Sequence, residues 1–225
     1  MTTLTTRRFP SRSALEAALS ERLAVAIAAP GRSAIMLAGG TTPLPAYRAL
    51  AARALPHDAA LHLLFSDDRY VPYDSPASNY HQARALLDTL QLPPQQVLRV
   101  RTELPLEEAA ADYDRSLAAL LAAVGSIGLG LLGLGAEGHT ASLFPDTDLE
   151  RARGRLAIAV QRPDGMSAVS VTPELVAHVT EPLFVVAGRA KHDAVAALSA
   201  QDASLPAWRA VQDCAGVELW TAELD

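Results

Sequence analysis

Short, mostly apolar runs that each break off into glycine or charge, separated by stretches of helical period, constrain this chain more than any other feature. Ser33 to Ala38 runs into Gly39-Gly40-Thr41-Thr42-Pro43, and Leu61 to Phe65 into Ser66-Asp67-Asp68-Arg69. An apolar stretch opening at Gly128 leads through Gly133, Gly135 and Gly138 to His139, and Leu183 to Ala187 leads into Gly188-Arg189-Ala190-Lys191. Runs this short and continuous suit strands buried on both faces, and helices between them suit the crossovers of a parallel sheet. Helical period is found over Ser13 to Ala28, Leu44 to Ala54, Tyr80 to Leu90 and Leu106 to Val124, with a capping box expected from Ser13 and Glu16. Short helices are expected at Pro173 to His178, Lys191 to Ser199 and Pro206 to Val211, and further strands at Val97 to Val100, Leu156 to Val160, Ala168 to Val171 and Val217 to Thr221. The expected fold is α/β, a doubly wound, mostly parallel sheet with helices on both faces. No linker-like or charge-biased segment divides the chain, so residues 1–225 read as one domain.

In a parallel sheet those four endings lie along one edge, where open α/β sheets bind their ligands. Gly39, Gly40, Thr41 and Thr42 offer backbone amides and hydroxyls to an anion at a helix N-terminus; the plainer alternative is a tight turn in which a threonine caps the helix. Asp67, Asp68 and Arg69 place acids beside a cation, suited to orienting a base or binding sugar hydroxyls and phosphate, or else to an ion-paired loop. The Gly133 to His139 turn is expected to open a short helix near His139, with free amides converging where an imidazole removes a proton from water. The alternative there is tight packing at the glycines with His139 as a helix cap. Gly133, Gly135 and Gly138 also fit the dinucleotide fingerprint; no acidic residue closes the following strand, which ends in Gln161 and Arg162, but Arg162 suits a 2′-phosphate, so a nicotinamide-binding protein stays an alternative.

Composition excludes several classes. A net charge of −6 without a basic run argues against a nucleic-acid surface. The single cysteine, Cys214, precludes an internal disulfide and has no metal-ligand spacing, which fits a reducing cytoplasm. Arg7 and Arg8 precede Glu16 and Glu21 rather than an apolar core, so no signal peptide is expected. The longest apolar run, Ile127 to Ala136, is too short to span a bilayer, and no membrane association is expected. Against 18 arginines stands one lysine, Lys191, whose compact ammonium is a candidate ligand group at the fourth strand end.

The segments LAGGTTP at Leu37 to Pro43, SDDRYVPYDSPASNY at Ser66 to Tyr80, LLGLGAEGHTASLFP at Leu131 to Pro145 and VAGRAK at Val186 to Lys191 resemble those of the 6-phosphogluconolactonase family. That family sits in a larger group with glucosamine-6-phosphate isomerase/deaminase, and HTASLFP is similar to the lactonase version. The resemblance covers nearly the whole chain. It implies a Rossmann-like fold and hydrolysis of 6-phosphogluconolactone, with no metal or redox cofactor; a monomer or small homo-oligomer is expected. Of the residues, it implies His139 as general base and Asp67 as a residue that orders the site. Gly39, Gly40, Thr41, Thr42, Arg69, Gly138 and Lys191 would bind the phosphosugar lactone. An isomerase or deaminase, or a non-catalytic sugar-phosphate binder, are the alternatives. The chain departs from the family pattern at Asp68, Gly128 and Ala168, the last at a place often held by arginine.

Overall fold

A computed structural model describes residues 2–31, 34–145 and 152–224. Its centre is a seven-stranded sheet in which every neighbouring pair is parallel. The strands are β1 (Thr3–Arg8), β2 (Ala34–Leu37), β3 (His62–Phe65), β5 (Val97–Leu98), β6 (Ile127–Leu132), β9 (Val179–Ala187) and β10 (Gly216–Ala222), in the order β1-β10-β9-β6-β2-β3-β5. Ser33, where the sequence begins the second strand, lies outside the described residues. The chain winds one way from β2 through β3 to β5 and the other way from β6 through β9 and β10, so the direction reverses between β2 and β6. Crevices form at the carboxyl ends of strands where order reverses in this way.

Alternate residues of each strand feed two cores. Ile35 and Leu37 of β2 pack with Leu63, Phe65, Leu129, Leu131, Leu183 and Val185 under α1 (Arg12–Ala28), α2 (Leu44–Ala51) and α4 (Arg84–Leu90). Ala34 and Met36 face the other way, with Leu64, Leu132, Phe184 and Val186, toward α5 (Leu106–Val124), α6 (Pro173–Val176), α7 (His192–Ser199) and α8 (Pro206–Val211). Burial on both faces is why these strands read as unbroken apolar runs.

Several expectations need correction. The runs at Leu156 and Ala168 form β7 (Ala157–Gln161) and β8 (Ser167–Val171), which leave the central sheet and pair antiparallel with each other, β8 also pairing antiparallel with β4 (Asp67–Arg69). The cap of α1 is Ser11, whose side chain accepts from the Ala14 amide at 3.1 Å, and not Ser13 with Glu16. The helix from Tyr80 is two pieces, α3 (Asn79–Gln82) and α4, separated at Ala83. No helix opens near His139; residues 136–143 form turns closed by a bridge between Thr140 and Leu143. Without that helix the dinucleotide fingerprint fails as well. Among the described residues no helix is long and apolar enough to cross a membrane.

Candidate active site

The four strands whose ends carry unusual chemistry, β9, β6, β2 and β3, are consecutive in the sheet. Beyond their carboxyl ends lies a cavity of about 230 Å³, lined by Gly39 to Thr42, Asp67, Arg69, His139 and Lys191. Gly138 is the exception among the expected site residues: it packs against Leu205, and its carbonyl accepts from the Ala207 amide at the start of α8. It shapes the turn from outside the cavity.

The hydrogen bonds bear on the plainer alternatives at the first two strand ends. Pro43 takes the N-cap position of α2, with no side-chain cap, so neither Thr41 nor Thr42 is spent on that helix. Arg69 has no ion pair among the described residues; it donates from Nη1 to the Ala77 carbonyl and to Asn79 Oδ1, both at 2.9 Å. Its Nε is buried without a partner among the described residues, an uncommon state for a charged donor. Asp67 and Asp68 part company. Asp68, 2 % exposed, accepts from the Asn79 amide at 2.6 Å, the Ser78 hydroxyl at 2.9 Å and the Tyr80 amide at 3.3 Å, fixing the start of α3. Burial pushes its carboxyl up to about 6 against those three donors. Asp67 lines the cavity and accepts from the Ser66 hydroxyl at 3.0 Å, Asn79 Nδ2 at 3.1 Å and the Ser142 hydroxyl at 2.7 Å.

His139 depends on two neighbours in its own turn. A Cβ built on Gly135 would stand 2.0 Å from His139 Nδ1, so only glycine lets the ring lie where it does. Nδ1 is 2.8 Å from Glu137 Oε1, and the other ring face leans on Phe144 at 4.4 Å between centroids. Burial lowers the imidazole below its ordinary pKa, with Glu137 pulling the other way. The ring is therefore neutral at pH 7, and with its Nδ1–H given to Glu137 it presents a free lone pair at Nε2. Burial would raise Glu137, but a backbone hydrogen bond, His139 and Lys191 together keep it below its usual value.

Of the glycine amides expected to converge on His139, two are spent within the turn. The Gly135 amide donates to the His139 carbonyl at 2.8 Å and the Gly138 amide to the Gly135 carbonyl at 3.1 Å, so both close the turn on itself. Positive charge at the cavity comes from side chains instead. Besides Arg69 and Lys191 there is Arg162, which follows β7 and is held by the Ser142 hydroxyl at 3.1 Å, by Asp164 at 3.0 Å and over the Phe144 ring at 5.2 Å. Ala168, by contrast, is fully buried on β8 between Arg69 and Val160.

With that geometry in view, the sequence profile described as glucosamine-6-phosphate isomerases/6-phosphogluconolactonase matches residues 11–220. The chain belongs to this family. A 6-phosphogluconolactonase of Nostoc is 39% identical over 194 residues, covering 82% of this chain and 80% of its own length. One from Synechocystis is 37% identical over 197 residues, covering 82% and 79%. The crystal structure of 6-phosphogluconolactonase from Thermotoga maritima superposes with a TM-score of 0.80 at 27% identity, covering 99% of this chain and all of that one. The central parallel sheet flanked by helices is thus the family fold. Within it, Asn79, Glu137 and Ser142 are site residues that sequence reasoning did not single out. Asn79 and Ser142 lie 12 and 75 residues from the Asp67 they bond, and neither bond follows from spacing alone. Glu137 was within reach, two residues before His139 in the same turn.

Proposed function

We propose that this chain hydrolyses 6-phospho-D-glucono-1,5-lactone to 6-phosphogluconate, with His139 as general base. The observation that carries the reading is a neutral, carboxylate-oriented imidazole in a cavity that also holds three cationic side chains, one of them with an unpartnered buried donor. His139 Nε2 takes a proton from water as its oxygen attacks C1 of the lactone. Glu137 stabilises the imidazolium that forms, as a carboxylate does in acyl-transfer triads. The tetrahedral intermediate collapses with cleavage of the bond from C1 to the ring oxygen. That oxygen leaves as the C5 hydroxyl by taking the proton back from His139, and the new carboxylic acid ionises.

The phosphate is remote from C1, so binding it serves to position the ring against the water. Gly39 to Thr42, Arg69 and Lys191 supply that seat, and Asp67, fixed by Ser66, Asn79 and Ser142, orders the floor between the phosphate and the carbonyl. The spent amides of Gly135 and Gly138 leave developing charge on the carbonyl oxygen to the cationic side chains, with Arg162 the one already bonded to Ser142.

Hydrolysis of freshly generated lactone, coupled to oxidation of 6-phosphogluconate and corrected for spontaneous opening, tests the reading. Wild type should exceed the spontaneous rate, and His139→Ala should lose about a hundredfold or more in kcat while remaining folded. Turnover of glucosamine 6-phosphate instead, with no acceleration of lactone opening, would replace this reading with the deaminase alternative.

A further inference from the structure

Asn79 carries no charge and no nucleophile, yet every residue of the Asp67-Asp68-Arg69 triplet is bonded to it. Its side-chain Nδ2 donates to the Asp67 carbonyl at 2.8 Å and to Asp67 Oδ1 at 3.1 Å, its Oδ1 accepts from Arg69 Nη1 at 2.9 Å, and its backbone amide donates to Asp68 Oδ1 at 2.6 Å. It lines the cavity while being only 3 % exposed. On its far side it sets the phosphate loop: a Cβ on Gly39 would fall 1.9 Å from Asn79 Oδ1, so the two segments are in direct contact and residue 39 has no room for a side chain.

We infer that Asn79 is a positioning residue that holds Arg69 by a neutral acceptor, so that the guanidinium reaches the phosphosugar without being tied to a carboxylate by a hydrogen bond. The inference rests on the phosphosugar reading of the site. Both groups that Arg69 Nη1 meets, the Ala77 carbonyl and Asn79 Oδ1, are neutral, and Arg69 Nε is buried with no partner among the described residues. A carboxylate at position 79 would satisfy the guanidinium internally. An amide alone also presents a donor to Asp67 and an acceptor to Arg69 from the same group; an aspartate would set two carboxylates against each other. Asn79 touches neither the reacting carbon nor the base, so its effect is expected on binding more than on the chemical step.

Asn79→Asp and Asn79→Ala test this in two assays run side by side, lactone hydrolysis and calorimetric titration with 6-phosphogluconate and with inorganic phosphate. The near-isosteric Asn79→Asp is expected to raise KM about tenfold or more, with a smaller change in kcat, and to weaken 6-phosphogluconate binding by a similar factor. Asn79→Ala, which frees Arg69 without neutralising it, should weaken binding less than Asn79→Asp does, an order that loss of packing alone would reverse. If Asn79→Asp does not fold, the inference is carried by Asn79→Ala, which should still raise KM more than it lowers kcat. Folded variants with wild-type KM and wild-type 6-phosphogluconate affinity would overturn it, as would a fall in kcat alone. Should wild type fail to outpace spontaneous opening, the hydrolase reading fails on its own and the titration decides the role of Asn79. Wild type that binds neither probe overturns that role too.

Discussion

His139 and Glu137 make a pair whose two effects on activity separate by pH. Glu137 raises the imidazole pKa against the burial that lowers it, so Glu137→Gln takes away the opposing pull. The acid limb of kcat/KM, set by protonation of the free base, then moves to still lower pH, while kcat at pH 7 falls because the imidazolium loses its counter-charge. A pH–rate profile of Glu137→Gln shifted to higher pH would contradict the assigned pair. Gly135→Ala probes the same pair, because the added carbon would crowd both His139 Nδ1 and Glu137. With 2.0 Å between the added carbon and His139 Nδ1, the imidazole must turn away, and a displacement of that size at a reacting group costs about a hundredfold. Activity within fivefold of wild type in a folded Gly135→Ala protein would show that the ring has room to spare. His139 and Asp67 were legible because glycine, hydroxyl and acid cluster beside them in the sequence; Ser142 and Asn79 were not, because what makes them part of the site is a bond across the fold.

At the scale of elements, the strands that end in the site are held at the point where they leave the sheet. Tyr47 on α2 donates its hydroxyl to the Ala38 carbonyl at 2.8 Å and accepts from the Ala38 amide at 3.2 Å. Tyr113 on α5 does the same for Phe65, at 2.7 and 2.9 Å. Ala38 is the last residue before Gly39, and Phe65 the last before Ser66 and Asp67, so two buried phenols satisfy the two peptide groups at which β2 and β3 turn into loops. Burial pushes both hydroxyls well above the ordinary tyrosine pKa, which keeps each able to donate and accept at once. Tyr47→Phe and Tyr113→Phe each strand a buried N–H and C=O and are expected to cost about 1–3 kcal/mol in urea unfolding. A cost below about 0.5 kcal/mol would mean that water takes the hydroxyl's place. Apolar periodicity located both helices, α5 to the residue, but not this use of their tyrosines. It also missed β1 and β4. TLTTRR is mostly exposed and holds one apolar residue, and DDR is three polar residues whose strand pairing exists only because β8 lies alongside.

The whole molecule was legible as an alternation of strands and crossovers, because a doubly buried sheet leaves its mark in apolar runs of strand length. The departure of β7 and β8 into a second sheet was not, since an apolar run looks the same whether its partner is parallel or antiparallel. That second sheet brings Arg162 to the cavity and, through β4, puts Asp68 out of reach of solvent, which ties the stability of the fold to pH. Burial raises Asp68 from 3.8 to about 6, so between those values the folded chain binds a proton that the unfolded chain has lost. Stability supplied by this group is present below the unfolded pKa and is lost as pH rises toward the folded one. Other groups run the opposite way: Glu103, Glu137 and Asp164 are held below their usual values and favour the folded state at higher pH. The contribution of Asp68 therefore has to be read as a difference. Asp68→Asn removes the titration while keeping an acceptor for the donors at the start of α3. As pH falls from 7 to 4, the unfolding free energy of wild type minus that of Asp68→Asn should shift by about 2 kcal/mol in favour of wild type. Urea midpoints for the two proteins across that range measure it. A difference that is flat with pH would mean that the three donors compensate the burial, and that Asp68 is ionised in the fold as readily as in water.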